Sequence, residues 1–251
     1  MKKPVKIGCI ALLSMAFLFI LAGLGIFIFA DVVVEIAGKI IAKKMVSEIT
    51  GTEFSIGNVK VSIFKGRIKL TDVVLKNPEG YSGSALNAGT VYVEVDMNSI
   101  LTDRIVVKQV LIENIRVNYE RRLESSNIDV IQKNIETRSA SRPKSETATE
   151  AKSGKKGKTW VIRTFDVKKG VVSVTVISKN VSATVPLSDI HIENLGDSAE
   201  GKPLYELLPE IFTLLLSDIL NAVSSAGFGS GIIDNIQKAP SSVIKTIKNL
   251  F

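Results

Sequence analysis

A chain of 251 residues, 45% hydrophobic and 23% charged, is long enough for one or two packed modules, and its net charge of +7 implies an anionic partner or a solvated basic segment. One cysteine, Cys9, excludes an internal disulfide and a cysteine metal site, and one histidine, His191, excludes a histidine cluster. With no Ser-His-Asp set, phosphate-binding loop or zinc spacing in view, no catalytic residue, cofactor or metal is assigned, and the chain is expected not to be an enzyme.

Lys2, Lys3 and Lys6 form a short basic tail at 1–6, followed by an uncharged run from Ile7 to Ala30 that Asp31 closes. At ~1.5 Å per residue this run reaches roughly 36 Å, enough to cross a hydrocarbon core of about 30 Å. It is too long and too rich in Phe and Ile near its end for a cleavable signal peptide, so 7–30 is expected to be an N-terminal transmembrane anchor. Lys39, Lys43 and Lys44 on the far side match the near-side lysines, so charge leaves orientation open. The very short tail ahead of a large body favours a cytoplasmic N-terminus.

Across 31–50, Val33, Ile36, Ala37, Ile40, Ile41, Met45 and Ile49 recur at helical steps, with Lys39, Lys43, Lys44 and Glu48 between them. This spacing predicts an amphipathic helix ending at Gly51. The period then changes to two. Val59, Val61 and Ile63 alternate with Lys60 and Ser62, and Val91, Val93 and Val95 alternate with Tyr92 and Glu94, as in strands with one apolar face. Further strands are expected over 68–76, 105–112 and 115–119, separated by turn-forming segments such as Asn77-Pro78-Glu79-Gly80. Short connections favour an antiparallel curved β-meander over 51–123.

The segment 124–158 is expected to be partly helical and then a disordered basic linker. From 139 to 158 it carries Arg142, Lys144, Lys152, Lys155, Lys156 and Lys158 against Glu146 and Glu150, with almost nothing apolar to bury. No aromatic interleaves these bases, so nucleic acid is not an expected partner. Strand patterning resumes over 159–196, with Phe165, Val167, Val172, Val174, Val176, Val185, Ile190 and Ile192, and continues the same β module. His191 falls on the polar face. From 203 to 225 a wide apolar stripe predicts a helix, too interrupted by Glu210 and Asp218 for a second crossing; Pro209 should kink it or mark its start. The glycines at 227, 229 and 231 follow a helix rather than a strand, which removes them from dinucleotide binding. A weakly amphipathic basic tail closes the chain at 232–251.

Several segments resemble the opening module of the AsmA-like family. They are Ile49-Thr50-Gly51-Thr52-Glu53, Val61-Ser62-Ile63-Phe64-Lys65-Gly66, Leu75-Lys76-Asn77-Pro78-Glu79-Gly80-Tyr81 and Ser99-Ile100-Leu101-Thr102-Asp103-Arg104-Ile105. Ser126-Asn127-Ile128-Asp129 and Val185-Pro186-Leu187-Ser188-Asp189-Ile190 are similar to small members of that group, and the likeness spans most of 1–224 apart from the linker. The resemblance implies an inner-membrane protein with its bulk in the bacterial periplasm. Its larger relatives form long curved sheets whose apolar groove conducts phospholipid, and members are associated with outer-membrane assembly and protein targeting to that membrane.

The fold expected is α+β and mainly β: an N-terminal transmembrane helix, an amphipathic helix, an antiparallel curved β-meander with one apolar face, and C-terminal helices. Val59, Val61, Ile63, Val91, Val93, Val95, Val172, Val174 and Val176 are the candidate lipid-contacting face. An ordinary core makes the same demand on these positions, and the two apolar helices are available to cover them. Expected partners are the membrane itself, phospholipid, and envelope proteins or further copies of the chain. Two functions remain open at this level: phospholipid handling in the sheet's groove, or a scaffold acting through protein contacts.

Overall fold

The valine-rich alternation forms one mixed sheet. A computed structural model describes residue 32 and residues 34–141, 158–198 and 201–228. The tail at 1–6, the anchor at 7–30, most of the basic linker and the tail at 232–251 lie outside the described residues. Helix α1 covers 34–50, and the strands are β1 (Phe54–Ser62), β2 (Arg67–Lys76), β3 (Ser84–Val95), β4 (Arg104–Arg121), β5 (Thr159–Lys168), β6 (Gly170–Val176), β7 (Val181–Leu187) and β8 (Ile190–Leu195). Helix α2 spans Asn127–Ser141 and α3 spans Leu204–Val223. The protein is mostly β, as the alternation predicts.

The order across the sheet is β1-β2-β3-β4-β5-β8, with β6 also beside β4 and β7 beside β6. An antiparallel meander is correct only for β1 through β4, because β5 and β6 both run parallel to β4. The reason is the length of chain between β4 and β5. A parallel crossover needs a dozen or more residues, and this segment contains α2. Reciprocal bonds start that helix: the Asp129 N–H donates to Ser126 Oγ (3.1 Å) while the Ser126 N–H donates to Asp129 Oδ2 (2.9 Å), as in a capping box. Its buried Ile128, Ile131 and Ile135 follow a helical period onto the sheet.

Two pairs of strands are each one line. Arg104 faces Thr159 and Arg116 faces Val171, so β5 and β6 keep a single register along β4. Ile162 faces Leu195 and Gly170 faces Leu187, so β7 and β8 are likewise collinear. The sheet is therefore at most six strands wide, roughly 29 Å at ~4.8 Å per strand.

Every one of these lines is interrupted at the same height. The register sets Gly57, Asp72, Gly89, Asn114 and Lys169 side by side, and Asp72 (φ 55°), Asn114 (φ 56°) and Lys169 (φ 57°) are left-handed. A left-handed residue inside a strand reverses the alternation, so apolar residues keep to one face only if they skip three positions instead of two. Leu70 and Val73, and Ile112 and Ile115, make that skip across a left-handed residue, and in the same row Ile56 and Val59, and Ala88 and Val91, make it across Gly57 and Gly89, which are not left-handed. Two glycines permit the crease. A Cβ on Gly57 would lie 2.8 Å from Asp72 Cβ, and one on Gly89 would lie 3.3 Å from Asn114 Cβ.

Helices α2 and α3 pack on the apolar face mainly over β4, β5, β6 and β7. Helix α3 runs unbroken through Pro209, so the proline neither starts nor splits it. Contrary to the expectation that Glu210 and Asp218 interrupt it too much, the helix from Leu204 to Phe228 is long and apolar enough by length and composition to cross a membrane, with 39% of that stretch buried in the protein, Leu207, Leu214, Leu215, Ile219, Leu220 and Val223 included.

Candidate functional site

The crease divides the apolar face into two halves with different cover. On one side, Ile115, Val117, Tyr119, Val172 and Val174 have no exposed surface and meet the helices, as does Val167 on the crease itself. On the other side, successive rows cross the sheet from β1 to β5: Val59, Leu70, Val91, Ile112 and Val167, then Val61, Ile68, Val93, Val110 and Phe165. Most of the β1–β4 members of these rows are only half-buried.

The nine candidate residues therefore separate. Val172, Val174 and Val176 are core residues of the covered half, and Val59 is buried at the crease. Val61, Val91, Val93 and Val95 share the half-covered surface; Val95 stands opposite Val107 after a bulge that follows Glu94. Ile63 is not in a strand but in the single 3-10 turn Ile63–Lys65. Ile68, Leu70, Val110 and Ile112 belong to the same surface and were not among the candidates. Facing the predicted strands in register, as hairpins require, would have added them.

Helix α1 borders this half. The Val61 N–H donates to Glu35 Oε1 (2.8 Å) and Lys39 Nζ donates to the Gly57 carbonyl (2.9 Å), tying α1 to the outer edge of β1. Val46 and Ile49 enter the core near its C-terminus. Its opening turns are different: Val34, Ile36, Ile40 and Ile41 are exposed, Ile40 to 64%. Several adjacent exposed aliphatics on one helix form an apolar patch of the kind that water-facing surfaces otherwise avoid.

Two further features have polar chemistry. A cleft of about 620 Å³ lies between α3 and the β7–β8 line, lined by Leu187, Ile190, Leu214, Ser217, Asp218 and Ala222 among others; burial pushes the Asp218 carboxyl above its ordinary range. On the opposite sheet face, His191 Nδ1 lies 2.7 Å from Asp166 Oδ1, and Gln109 Nε2 donates to Asp166 Oδ2 (3.1 Å). The hydrogen bond that the His191 imidazole makes to the accepting Asp166 carboxylate holds His191 above the usual imidazole value. Burial works to raise Asp166, but His191 and Gln109 together keep it below the carboxylate norm. The strand placement of His191 follows from alternation, whereas its pairing with Asp166 depends on the β5–β8 register and had no local signal. Among the described residues no group of His, Cys, Asp and Glu has the arrangement to hold a metal.

No protein-family model matches this chain, and no curated protein matches it.

Proposed function

We propose that this protein is an anchored, non-enzymatic component of the bacterial cell envelope, held in the inner membrane with its body in the periplasm, that binds phospholipid on the half-covered apolar rows of β1–β4. The single observation behind this reading is the half-buried surface of Val61, Ile68, Leu70, Val91, Val93, Val110 and Ile112, bordered by the exposed apolar turns of α1. Acyl chains are the partner such a surface suits: it is long, aliphatic and carries no buried charge to be matched. The sequence supplies the source, because α1 follows directly on the segment expected to cross the bilayer. In keeping with the AsmA-like resemblance, the role is in lipid handling for envelope and outer-membrane biogenesis. A sheet of this width spans only a fraction of a long conduit, so transport over distance requires further copies or partners.

The test is purification of the full chain in mild detergent, followed by extraction and lipid mass spectrometry. Phospholipid retained in near-stoichiometric amount is the expected result; a fully folded protein recovered free of lipid rejects the reading.

A second reading, a scaffold that docks envelope proteins, draws on a different observation. Leu123, Ile177 and Val181 are exposed at the end of the sheet away from the start of α1. In-cell cross-linking that traps a discrete envelope protein, together with lipid-free purified chain, favours the scaffold.

A further inference from the structure

We infer that the turns at the α1 end of the sheet rest on the surface of the same bilayer that residues 7–30 are expected to cross, with Phe64 and Leu101 inserted at the headgroup boundary. This deepens the proposed function and depends on its anchor. The bond between Glu35 and the Val61 N–H fixes the start of α1 beside the C-terminal end of β1. Glu35 lies five residues beyond Ala30, where the uncharged run ends, a span of at most about 18 Å even if fully extended, so this end of the sheet lies close to the membrane.

Two turns project there. The Ile63–Lys65 turn joins β1 to β2, and the Met97–Leu101 turn leads from β3 to β4. They are held side by side, because the Val95 N–H donates to the Gly66 carbonyl (2.7 Å). At their tips Phe64 is 73% exposed and Leu101 is 92% exposed. Such exposure of two large apolar residues on adjacent tips is costly in water and stabilising at a lipid boundary. Lys65 is exposed next to Phe64, and Lys158, which donates to the Ile100 carbonyl, adds a second cation against the exposed Asp103. An aromatic, an aliphatic and lysines on one rim match the chemistry of an anionic bilayer surface, where rings sit at headgroup depth and ammonium groups meet phosphate.

The lipid that this rim meets is the bulk leaflet, distinct from the acyl chain proposed for the sheet face. The two contacts are adjacent, so a docked rim would bring the half-covered rows of β1–β4 to the membrane surface and give a lipid a short path onto them.

The experiment uses the full chain with Cys9→Ser, carrying Phe64→Cys, Leu101→Cys or Leu123→Cys, each labelled with an environment-sensitive fluorophore and reconstituted into phosphatidylcholine and phosphatidylglycerol vesicles. Leu123 is 86% exposed at the opposite end and serves as the matched control. Spin-labelled lipids are expected to quench the dye at 64 and 101 about twofold or more, with a blue-shifted emission, and to leave the dye at 123 unchanged. Equal quenching at all three positions, or none at 64 and 101, overturns the inference. Vesicle flotation of the same samples separates the failures: protein that floats without quenching at the tips refutes the docked rim alone, whereas protein that does not float refutes the anchor on which both proposals rest. Lipid content of the detergent-purified chain reports on the sheet face independently of either.

Discussion

The two sides of the crease use the same residue types to opposite ends. Valine and isoleucine beyond the crease, such as Val117, Val172 and Val174, are sealed beneath α2 and α3, while Val61, Val91, Val93 and Val110 before it are left half-covered beside α1. Alternation alone does not separate the two, because both need one apolar face. What separates them is where the helices land: α2 follows β4 and packs back on it, the chain then returns parallel to β4, and α3 packs on β5, β6 and β7 and against α2.

The largest effect should come from emptying the sealed half. Ile131 on α2 is fully buried, so Ile131→Ala removes packed atoms from a site with little freedom to collapse and should cost about 2–5 kcal/mol. Denaturant unfolding of the full chain in detergent, followed through Trp160, is the measurement. A cost under about 1 kcal/mol would mean that α2 does not close this half as described.

Next in size is the crease. Gly57→Ala places a Cβ 2.8 Å from Asp72 Cβ, and both neighbours are main-chain-bound atoms with no flexible end to yield, so about 1–3 kcal/mol of destabilisation is expected. Gly89→Ala meets Asn114 Cβ at 3.3 Å and should cost less. Asn114→Val removes a residue type that tolerates the left-handed region and should resemble Gly57→Ala in size. If all three unfolded at the wild-type midpoint, the crease would carry no strain and the division of the sheet would need another cause.

The crease also explains how much of the fold was legible. Strand identity, the polar face of His191 and the amphipathic character of 34–50 follow from period and composition. The interruptions after Ile112, Val167 and Leu187 look like turns between separate strands, because a skip of three breaks a period of two. They are kinks in continuous lines, and only the register of neighbouring strands reveals that Gly57, Asp72, Gly89 and Asn114 fall in one row. The parallel pairing was hidden for a related reason: the helical part of the 124–158 segment was legible, but its role as a crossover is a tertiary fact. For the candidate surface, the sequence identified the apolar face and could not tell which part of it the helices occupy.

A smaller effect on stability is expected in the half-covered rows, and it makes the comparison sharper. Val93→Ala removes aliphatic surface that is only partly withdrawn from water, so it should cost ~1 kcal/mol or less, well below Ile131→Ala. Its effect on bound phospholipid should be the reverse, with Val93→Ala lowering the lipid recovered and Ile131→Ala leaving it unchanged per folded molecule. Loss of lipid in the Ile131 variant alone would place the lipid in the sealed half and invert the assignment.

The smallest effect concerns the face turned away from the helices, where His191 and Asp166 lie on the same side of the crease as the half-covered rows. His191 is the only histidine in the chain, so its titration can be followed by NMR without assignment by mutation. Its hydrogen bond to Asp166 raises its value in the folded protein, and the stability this provides is complete below the ordinary imidazole value of about 6.5 and is lost as pH climbs through the raised one. For Asp166 the sign is opposite: its lowered carboxyl contributes above the ordinary carboxylate value and loses that contribution as pH falls through the lowered one. The pair therefore supports the β5–β8 register best between these limits, and Asp166→Asn should return His191 toward the ordinary value. Because the imidazole is well exposed, solvent screening keeps the change in unfolding midpoint small. A His191 that titrates at or below the ordinary value in the parent chain would place its ring away from Asp166, and with it would remove the one polar contact between side chains that ties β8 to β5 at this row.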